Sequence, residues 1–295
     1  MKILLATDGS EYSEGAANFL TGLNFTSDDE ITVLHVLSWA PVLGQWEYLY
    51  IDLKEIRYEI APKIIDSVVN VLKPVNAKIT SSLIDGYPDK AIIDTSADRD
   101  IDLVVMGARG LRGVGPIIVG SVTKAVAVKS SRPVLIIKSP RPERSGNMKI
   151  LFATDGSVHS DAMGRLLSSI PFPDDTEITI LNVMPTVYED IPERFAMEIN
   201  DRIKGIVAGK REAENKESGE VTKKAREYLG GRFSKIEALT RFGDPSQEIL
   251  NAADTLNADI IAVGSSGMRG IKGILGSVTR YILNHSKCSV LIGKT

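Results

Sequence analysis

One phrase occurs twice in this chain. Residues 1–10 read MKILLATDGS, and residues 148–157 read MKILFATDGS. The repeat runs on. ITVLHVL (31–37) answers ITILNVM (178–184), and DGYPDKAIIDTSADRDIDLVVMGARG (85–110) answers FGDPSQEILNAADTLNADIIAVGSSG (242–267). GSVTKAV (120–126) answers GSVTRYI (276–282), and PVLIIK (133–138) answers SVLIGK (289–294). Length alone already favours two domains of about 100–200 residues. The repeat predicts one domain over 1–140 and a second over 148–295. Between them 141–147 lies in SPRPERSGN, rich in Pro, Gly and charge, and reads as a linker. The second half carries about ten extra residues, which the alignment puts around KGIVAGKREAENKESGE (204–220).

Short apolar runs alternate with longer segments of helical period in each half. In the first half the runs are KILLAT, ITVLHV, AKITSSLI, DLVVMG and PVLIIK. Nearly continuous apolar strands fit a parallel sheet covered on both faces. Strand-helix alternation gives a doubly wound, Rossmann-like α/β domain, here two tandem copies of a five-stranded parallel sheet. Ligands of such sheets sit beyond the carboxyl ends of the strands, at the point where the strand order reverses. The residues just after each strand are therefore the ones to read for function.

Composition narrows the field. Net charge is −3, and the first 147 residues hold 16 basic and 18 acidic side chains against 19 and 20 in the rest. Neither half has the basic excess of a nucleic-acid binder. One cysteine, Cys288, excludes an intrachain disulfide and a Cys-rich zinc site. No run approaches the ~18 unbroken apolar residues of a membrane helix, and the opening apolar run is too short for a signal-peptide core. These features predict a cytoplasmic protein with no nucleic-acid or membrane partner.

Two strand ends carry chemistry. Strand 1 ends in Ala6-Thr7-Asp8-Gly9-Ser10 and its copy in Ala153-Thr154-Asp155-Gly156-Ser157. Asp8 and Glu11 are spaced as a capping box, but the copy has Val158 in place of Glu11. A carboxylate there can instead accept the hydroxyls of a ribose. Strand 4 ends in GARGLRGVGPIIVGSVT (107–123), with Gly107, Gly110 and Gly120 followed by Ser121. Glycine lets a ligand approach the backbone closely, and a helix opening at Gly120-Ser121 offers free N–H groups to phosphate. Arg109 and Arg112 add positive charge. The alternative reading is a loop of small residues that packs helix against sheet.

Taken together, these features resemble a tandem universal stress protein of the UspA type. The nucleotide-binding members carry Gly-x2-Gly-x9-Gly-[Ser/Thr] after strand 4, and Gly107, Gly110, Gly120 and Ser121 match it in full. The opening ATDGS, the Gly-x-Pro turns (Gly86-Tyr87-Pro88 and Gly243-Asp244-Pro245) and the closing strands match as well. The resemblance covers nearly the whole chain. It implies that Asp8 holds ribose, that Val36 contacts adenine through its backbone, and that the glycine loop with Ser121 holds ribose and phosphates. Ala6, Thr7, Ser10, Arg109, Val122 and Thr123 match neighbouring positions. The ligand implied is ATP or AMP, with Mg²⁺ arriving on the ATP phosphates rather than in a protein cage. The second site would use Asp155, Val183, Gly264, Gly267, Gly276 and Ser277. Its loop departs from the pattern: eight residues, not nine, separate Gly267 from Gly276, and Ser265-Ser266 replace Ala108-Arg109. The resemblance also implies an internal pseudo-dimer, with PVLIIK against SVLIGK. It leaves a homodimer of two chains open, and the protein partner is unknown.

The function implied is that of a nucleotide-binding regulator under stress, non-catalytic or at most a slow ATPase. The alternative is a nucleotide-independent scaffold of the same fold. Enzyme signatures are missing: no Ser-Gly-Gly-x-Asp-Ser loop, no His-x-Gly-His, and no Gly-x4-Gly-Lys-[Ser/Thr]. His35, with Asn182 as its copy, reads as a satisfied interior polar residue. His159 and His285 lack metal-ligand spacing, and Cys288 reads as a small buried hydrophobe. Trp39, Trp46, Tyr48 and Tyr50 read as a loop packed on the second helix, with a lid or partner surface as the alternative, and 210–224 as a solvated helix face, with a regulatory contact as the alternative.

Overall fold

The computed structural model describes residues 1–38, 47–111, 119–140, 146–184, 201–267 and 275–294, apart from the side chains of 47–54, 201 and 203–208. Arg112, residues 141–145 of the linker, Trp39 and Trp46, and the side chains of Tyr48 and Tyr50 lie outside this description.

The first half runs β1 (Lys2–Thr7), α1 (Glu11–Thr21), β2 (Glu30–Ser38), α2 (Glu47–Leu72), β3 (Lys78–Gly86), α3 (Pro88–Asp98), β4 (Leu103–Gly107), α4 (Ser121–Lys129) and β5 (Val134–Ile137). The second half repeats it: β6 (Lys149–Ala153), α5 (Val158–Ser169), β7 (Glu177–Met184), α6 (Asp201–Leu229), β8 (Lys235–Phe242), α7 (Pro245–Leu256), β9 (Ile260–Gly264), α8 (Ser277–His285) and β10 (Ser289–Gly293). Each half has parallel strands, as its apolar runs require. The strand order is β3-β2-β1-β4-β5 in one and β8-β7-β6-β9-β10 in the other. The order reverses between β1 and β4, and between β6 and β9.

The two sheets are one. β5 and β10 pair antiparallel, with Leu135 opposite Leu291 and Val134 opposite Ile292, to give ten continuous strands. The expected internal pseudo-dimer through PVLIIK and SVLIGK is thus present. Side chains alternate along each strand. Ile3, Leu5, Leu135 and Leu291 enter a core that includes Ala16 and Leu20 of α1 and Met163 of α5. Leu4, Ala6, Ile136 and Val290 enter the opposite core, with Ile92 of α3 and Val126 of α4. Both cores run across both halves. Leu135, Ile136, Val290 and Leu291 are fully buried, each contributing about 1.5–3 kcal/mol.

Two expectations need correction. β3 and β8 are sheet edges, and their residues alternate between exposed and half-buried instead of being covered throughout. The surplus of the second half does not fall in 204–220. That stretch is continuous α6, and Val221 packs under Gly156 as Ile64 packs under Gly9. The solvated reading of 210–224 holds in large part, although Glu214, Ser218 and Thr222 are buried polar residues of α6.

The ends of the central strands carry a reciprocal pair of lysines. Lys138, just after β5, donates from Nζ to the carbonyls of Leu283 (2.7 Å) and Ser286 (2.7 Å) and to Ser286 Oγ (2.8 Å), at the C-terminus of α8. Lys294, just after β10, donates to the carbonyls of Ala127 (2.7 Å) and Val128 (3.3 Å) in the last turn of α4. A helix C-terminus has unpaired carbonyls and the negative end of the dipole, so a cation suits it. Burial pulls both ammonium groups down, to about 8 for each. The Arg109 charge works in the same direction at Lys138, while Cys288 opposes it. Cys288 is half-buried against the second core, and burial pushes its thiol up to about 11.

A lysine whose pKa falls on folding binds fewer protons folded than unfolded in the window between the two values. Stability must therefore rise with pH there. The difference in unfolding free energy between the wild type and a Lys138→Met/Lys294→Met variant is expected to grow in favour of the wild type from pH 8 to 10.5. Denaturant titrations across that range would show it. A flat or falling difference would contradict the burial account.

Candidate functional site

Both clefts open at the reversals of strand order, where β1 and β4, or β6 and β9, end side by side. The Asp-Gly turn is built alike in each. Gly9 (φ +78°) and Gly156 (φ +75°) adopt left-handed backbone, and a Cβ there would press on Ile64 or Val221. Glycine is needed, which explains one repeated letter. Asp8 Oδ1 accepts the Ser10 N–H at 3.1 Å, and Asp155 Oδ1 accepts the Ser157 N–H at 3.1 Å. The Thr7 hydroxyl meets Ser13 Oγ at 3.0 Å and Thr154 meets Ser160 at 3.0 Å. His35 Nδ1 bonds the Thr7 carbonyl at 2.8 Å, and Asn182 Nδ2 donates to the Thr154 carbonyl at 2.8 Å. His35 is therefore the satisfied interior residue expected.

The capping-box reading of Asp8 is wrong. The N-cap of α1 is Ser10, whose Oγ accepts the Ser13 N–H, and that of α5 is Ser157, which accepts from Ser160. Ser10 Oγ also donates to the Arg109 carbonyl at 3.3 Å. Ser10 thus ties the strand-1 turn to the glycine loop. Asp8 is left half-buried at the cleft, with Oδ2 accepting the Leu111 N–H at 3.1 Å. Each of its oxygens keeps a lone pair for a hydroxyl.

The glycines of the loop do three different jobs. A Cβ on Gly107 would stand 2.6 Å from the Tyr12 backbone carbon, so Gly107 lets α1 pack on the end of β4. This is the packing role weighed for the loop, and Gly264 repeats it against His159 at 3.1 Å. Gly110 and Gly267 lie over the carboxylates, where a Cβ would come within 2.2 Å of Asp8 Oδ2 or 2.8 Å of Asp155 Oδ2. Gly120 and Gly276 are the N-caps of α4 and α8. Neither has a side chain to cap with, so the first-turn N–H groups of Ser121, Val122 and Thr123 receive none from that position. The loop folds back on itself through Gly120 N–H to the Ala108 carbonyl (2.8 Å) and Gly276 N–H to the Ser265 carbonyl (2.8 Å). Thr123 and Thr279 are anchored to the Gly107 and Gly264 carbonyls at 3.0 and 2.7 Å.

The second cleft encloses a cavity of about 380 Å³, within the range of small-molecule sites. Asp155, Val183, Gly264, Gly267, Gly276 and Ser277, all read from the sequence, line it. So do Leu181, Pro245, Ile249 and Val263, which were not read from the sequence. They form an apolar slot in the same cavity as the carboxylate and the helix N-terminus. Pro245 was visible as part of the Gly-x-Pro turn; Ile249 shows only once α7 lies over the sheet. In the first half, Ala6 is buried, Val36 and Val122 are half-buried and Ser121 is exposed. The Arg109 guanidinium lies over the Tyr12 ring, 4.9 Å from its centroid. The copies of these two residues are Ser266 and His159, so that stacked charge belongs to the first half alone. Residues 268–274, with the shortened turn, lie outside the description.

Fold and site together define a class: a tandem α/β protein in which each half sets a carboxylate beside a glycine-capped helix N-terminus, with an apolar slot lining the cavity of the second half. The universal stress protein family model matches residues 1–138 and 146–294, and the chain belongs to that family. A universal stress protein of Methanocaldococcus jannaschii is 31% identical over 147 residues, 48% of this chain and 84% of that one. A longer match, to a universal stress protein of Mycobacterium tuberculosis, is 26% identical over 74% of this chain and 66% of that one. The crystal structure of a universal stress protein from Archaeoglobus fulgidus covers 99% of this chain and 96% of its own, with TM-score 0.61 and 23% identity. It matches this chain in fold.

Gly120 sits at φ −64° and ψ 157°, close to the φ −75° and ψ 159° of the Ser10 cap, and its nearest neighbour to an added Cβ is 3.6 Å away. Gly120→Ser should therefore cap α4 and stabilise the chain slightly, by about a few tenths of a kcal/mol. It should also weaken any anion bound at that helix end. Gly107→Ala has no such room and should cost about 2 kcal/mol or more. Thermal melts of the two variants would separate the roles. Equal losses would mean that both glycines serve packing.

Proposed function

We propose that the chain is an adenine-nucleotide-binding regulatory protein of the cytoplasm, with ATP or AMP as ligand. The observation that carries this reading is the pair of glycine-capped helices, α4 and α8, each opening beside an aspartate. Their free N–H groups and positive dipole ends suit phosphate. In this reading Asp8 and Asp155 accept the ribose hydroxyls. The slot of Leu181, Val183, Ile249 and Val263 suits a flat apolar base, as does the Val36 side of the first cleft. Family membership adds support, since the first-half glycine spacing follows the pattern of its nucleotide-binding members. A bound nucleotide would supply phosphate charge and, with ATP, its Mg²⁺. Among the described residues no group of three or more His, Cys, Asp or Glu gathers to hold a metal, so the ion would be held chiefly by the phosphates. We read the chain as non-catalytic or a slow ATPase at most. The work of the cleft is to bind and orient.

One observation favours a second reading. Both oxygens of Asp8 already accept backbone N–H groups, so the turn holds its shape with no ligand, as a nucleotide-independent scaffold would. Native mass spectrometry of the chain with added ATP and Mg²⁺ decides between them. Up to two adenine nucleotides per chain are expected. A hydrogen bond to a charged group contributes about 1.5–3 kcal/mol, so Asp8→Ala and Asp155→Ala should each weaken one site about tenfold or more. No bound nucleotide in excess ATP would leave the scaffold.

A further inference from the structure

Lys138 and Lys294 each connect an element of one cleft to a helix of the other. The backbone of Lys138 follows Ile137, which pairs with Gly107 and whose carbonyl accepts the Ala108 N–H at 2.8 Å, in the glycine loop of the first cleft. Its ammonium holds the C-terminus of α8, the helix whose N-terminus opens the second cleft. Lys294 is the mirror case. It follows Gly293, which pairs with Gly264 of the second loop, and its ammonium holds the C-terminus of α4, the helix of the first cleft. The crossing is reciprocal and arises because β5 and β10 run antiparallel. α4 and α8 are nine residues long, about 13 Å end to end. An anion at one end and a cation at the other act on a single short dipole.

Resting on the nucleotide reading of the clefts, we propose that the two sites are positively coupled across the β5–β10 seam through Lys138 and Lys294. Phosphate at the N-terminus of α4 strengthens the grip of its C-terminal carbonyls on Lys294. That steadies the end of β10 and with it the Gly264 loop of the second cleft. Phosphate on α8 acts in the same way through Lys138 on the Gly107 loop. Coupling between sites is reciprocal by thermodynamic necessity. Arg109 stands near Lys138 and has no charged counterpart in the second half, so the two routes differ in their surroundings while sharing one coupling constant.

The test is a set of calorimetric titrations of the full chain with ATP and Mg²⁺. Gly120→Leu and Gly276→Leu each put an uncharged, bulky side chain at one helix end, where it obstructs phosphate without imitating its charge, and leave the other cleft to be measured alone. Positive coupling makes the product of the two wild-type dissociation constants smaller than the product of the two single-cleft constants, by about fivefold or more. Lys138→Met/Lys294→Met should bring the two products together when the same comparison is made in that background. Should the methionine variant fail to fold, the wild-type comparison still decides. Equal products, or a larger wild-type product, overturn the coupling while leaving nucleotide binding intact. Binding at one cleft only also overturns it. No binding at either cleft overturns the nucleotide reading and the coupling with it.

Discussion

The antiparallel ladder between β5 and β10 organises everything else in this molecule. Two doubly wound sheets would each expose an edge at their last strand, a row of unpaired backbone groups that invites association. Here each edge is satisfied by the other. The inner faces of the pair, Leu135 and Leu291 on one side and Ile136 and Val290 on the other, join both cores into continuous layers. Only β3 and β8 remain as sheet edges, and both carry polar and charged residues such as Lys78, Lys235 and Arg241. Any pairing of two chains must therefore use a surface other than the β5 strand.

The ladder also sets the geometry of the clefts. Because β5 and β10 run in opposite directions, each ends against the last turn of the other half's helix. The carbonyls left open at those helix ends meet Lys138 and Lys294. At the opposite ends of the same helices, Gly120 and Gly276 leave the N–H groups without a side-chain cap. α1 and α5, which begin on Ser10 and Ser157, are closed at their N-termini by their own hydroxyls. The contrast lies within one fold, and α4 and α8 are the helices that combine a glycine cap with a start beside an aspartate.

Much of this was legible in the sequence. Buried parallel strands must be apolar throughout, so the β1, β4 and β5 runs announce themselves. The repeated Asp-Gly-Ser marks a turn that needs a left-handed glycine in both copies. The pairing of the closing strands followed from the family resemblance. Roles inside the glycine loop were not legible. Gly107 and Gly120 are the same letter, and only the approach of α1 to one and the open space above the other separates them. The Asp8-to-Glu11 spacing suggested a cap that Ser10 in fact provides, because local spacing cannot say where the first helical N–H lies. Lys138 and Lys294 passed unnoticed because their partners are about 150 residues away and are backbone carbonyls, which leave no sequence signal. Ile249 joined the cleft only when α7 packed on the sheet.

The two clefts are alike in frame and different in charge. Arg109 stacked on Tyr12 has Ser266 and His159 at the matching positions, and of these Ser266 lines the cavity of the second half. What they share is the aspartate and the glycine-capped helix. The most direct test of that shared design is a crystal structure of the chain grown with a non-hydrolysable ATP analogue and Mg²⁺. The account predicts phosphate oxygens within hydrogen-bond distance of the Ser121 and Val122 N–H groups, and ribose hydroxyls on Asp8. A nucleotide seated elsewhere, or both clefts empty at saturating analogue, would contradict it.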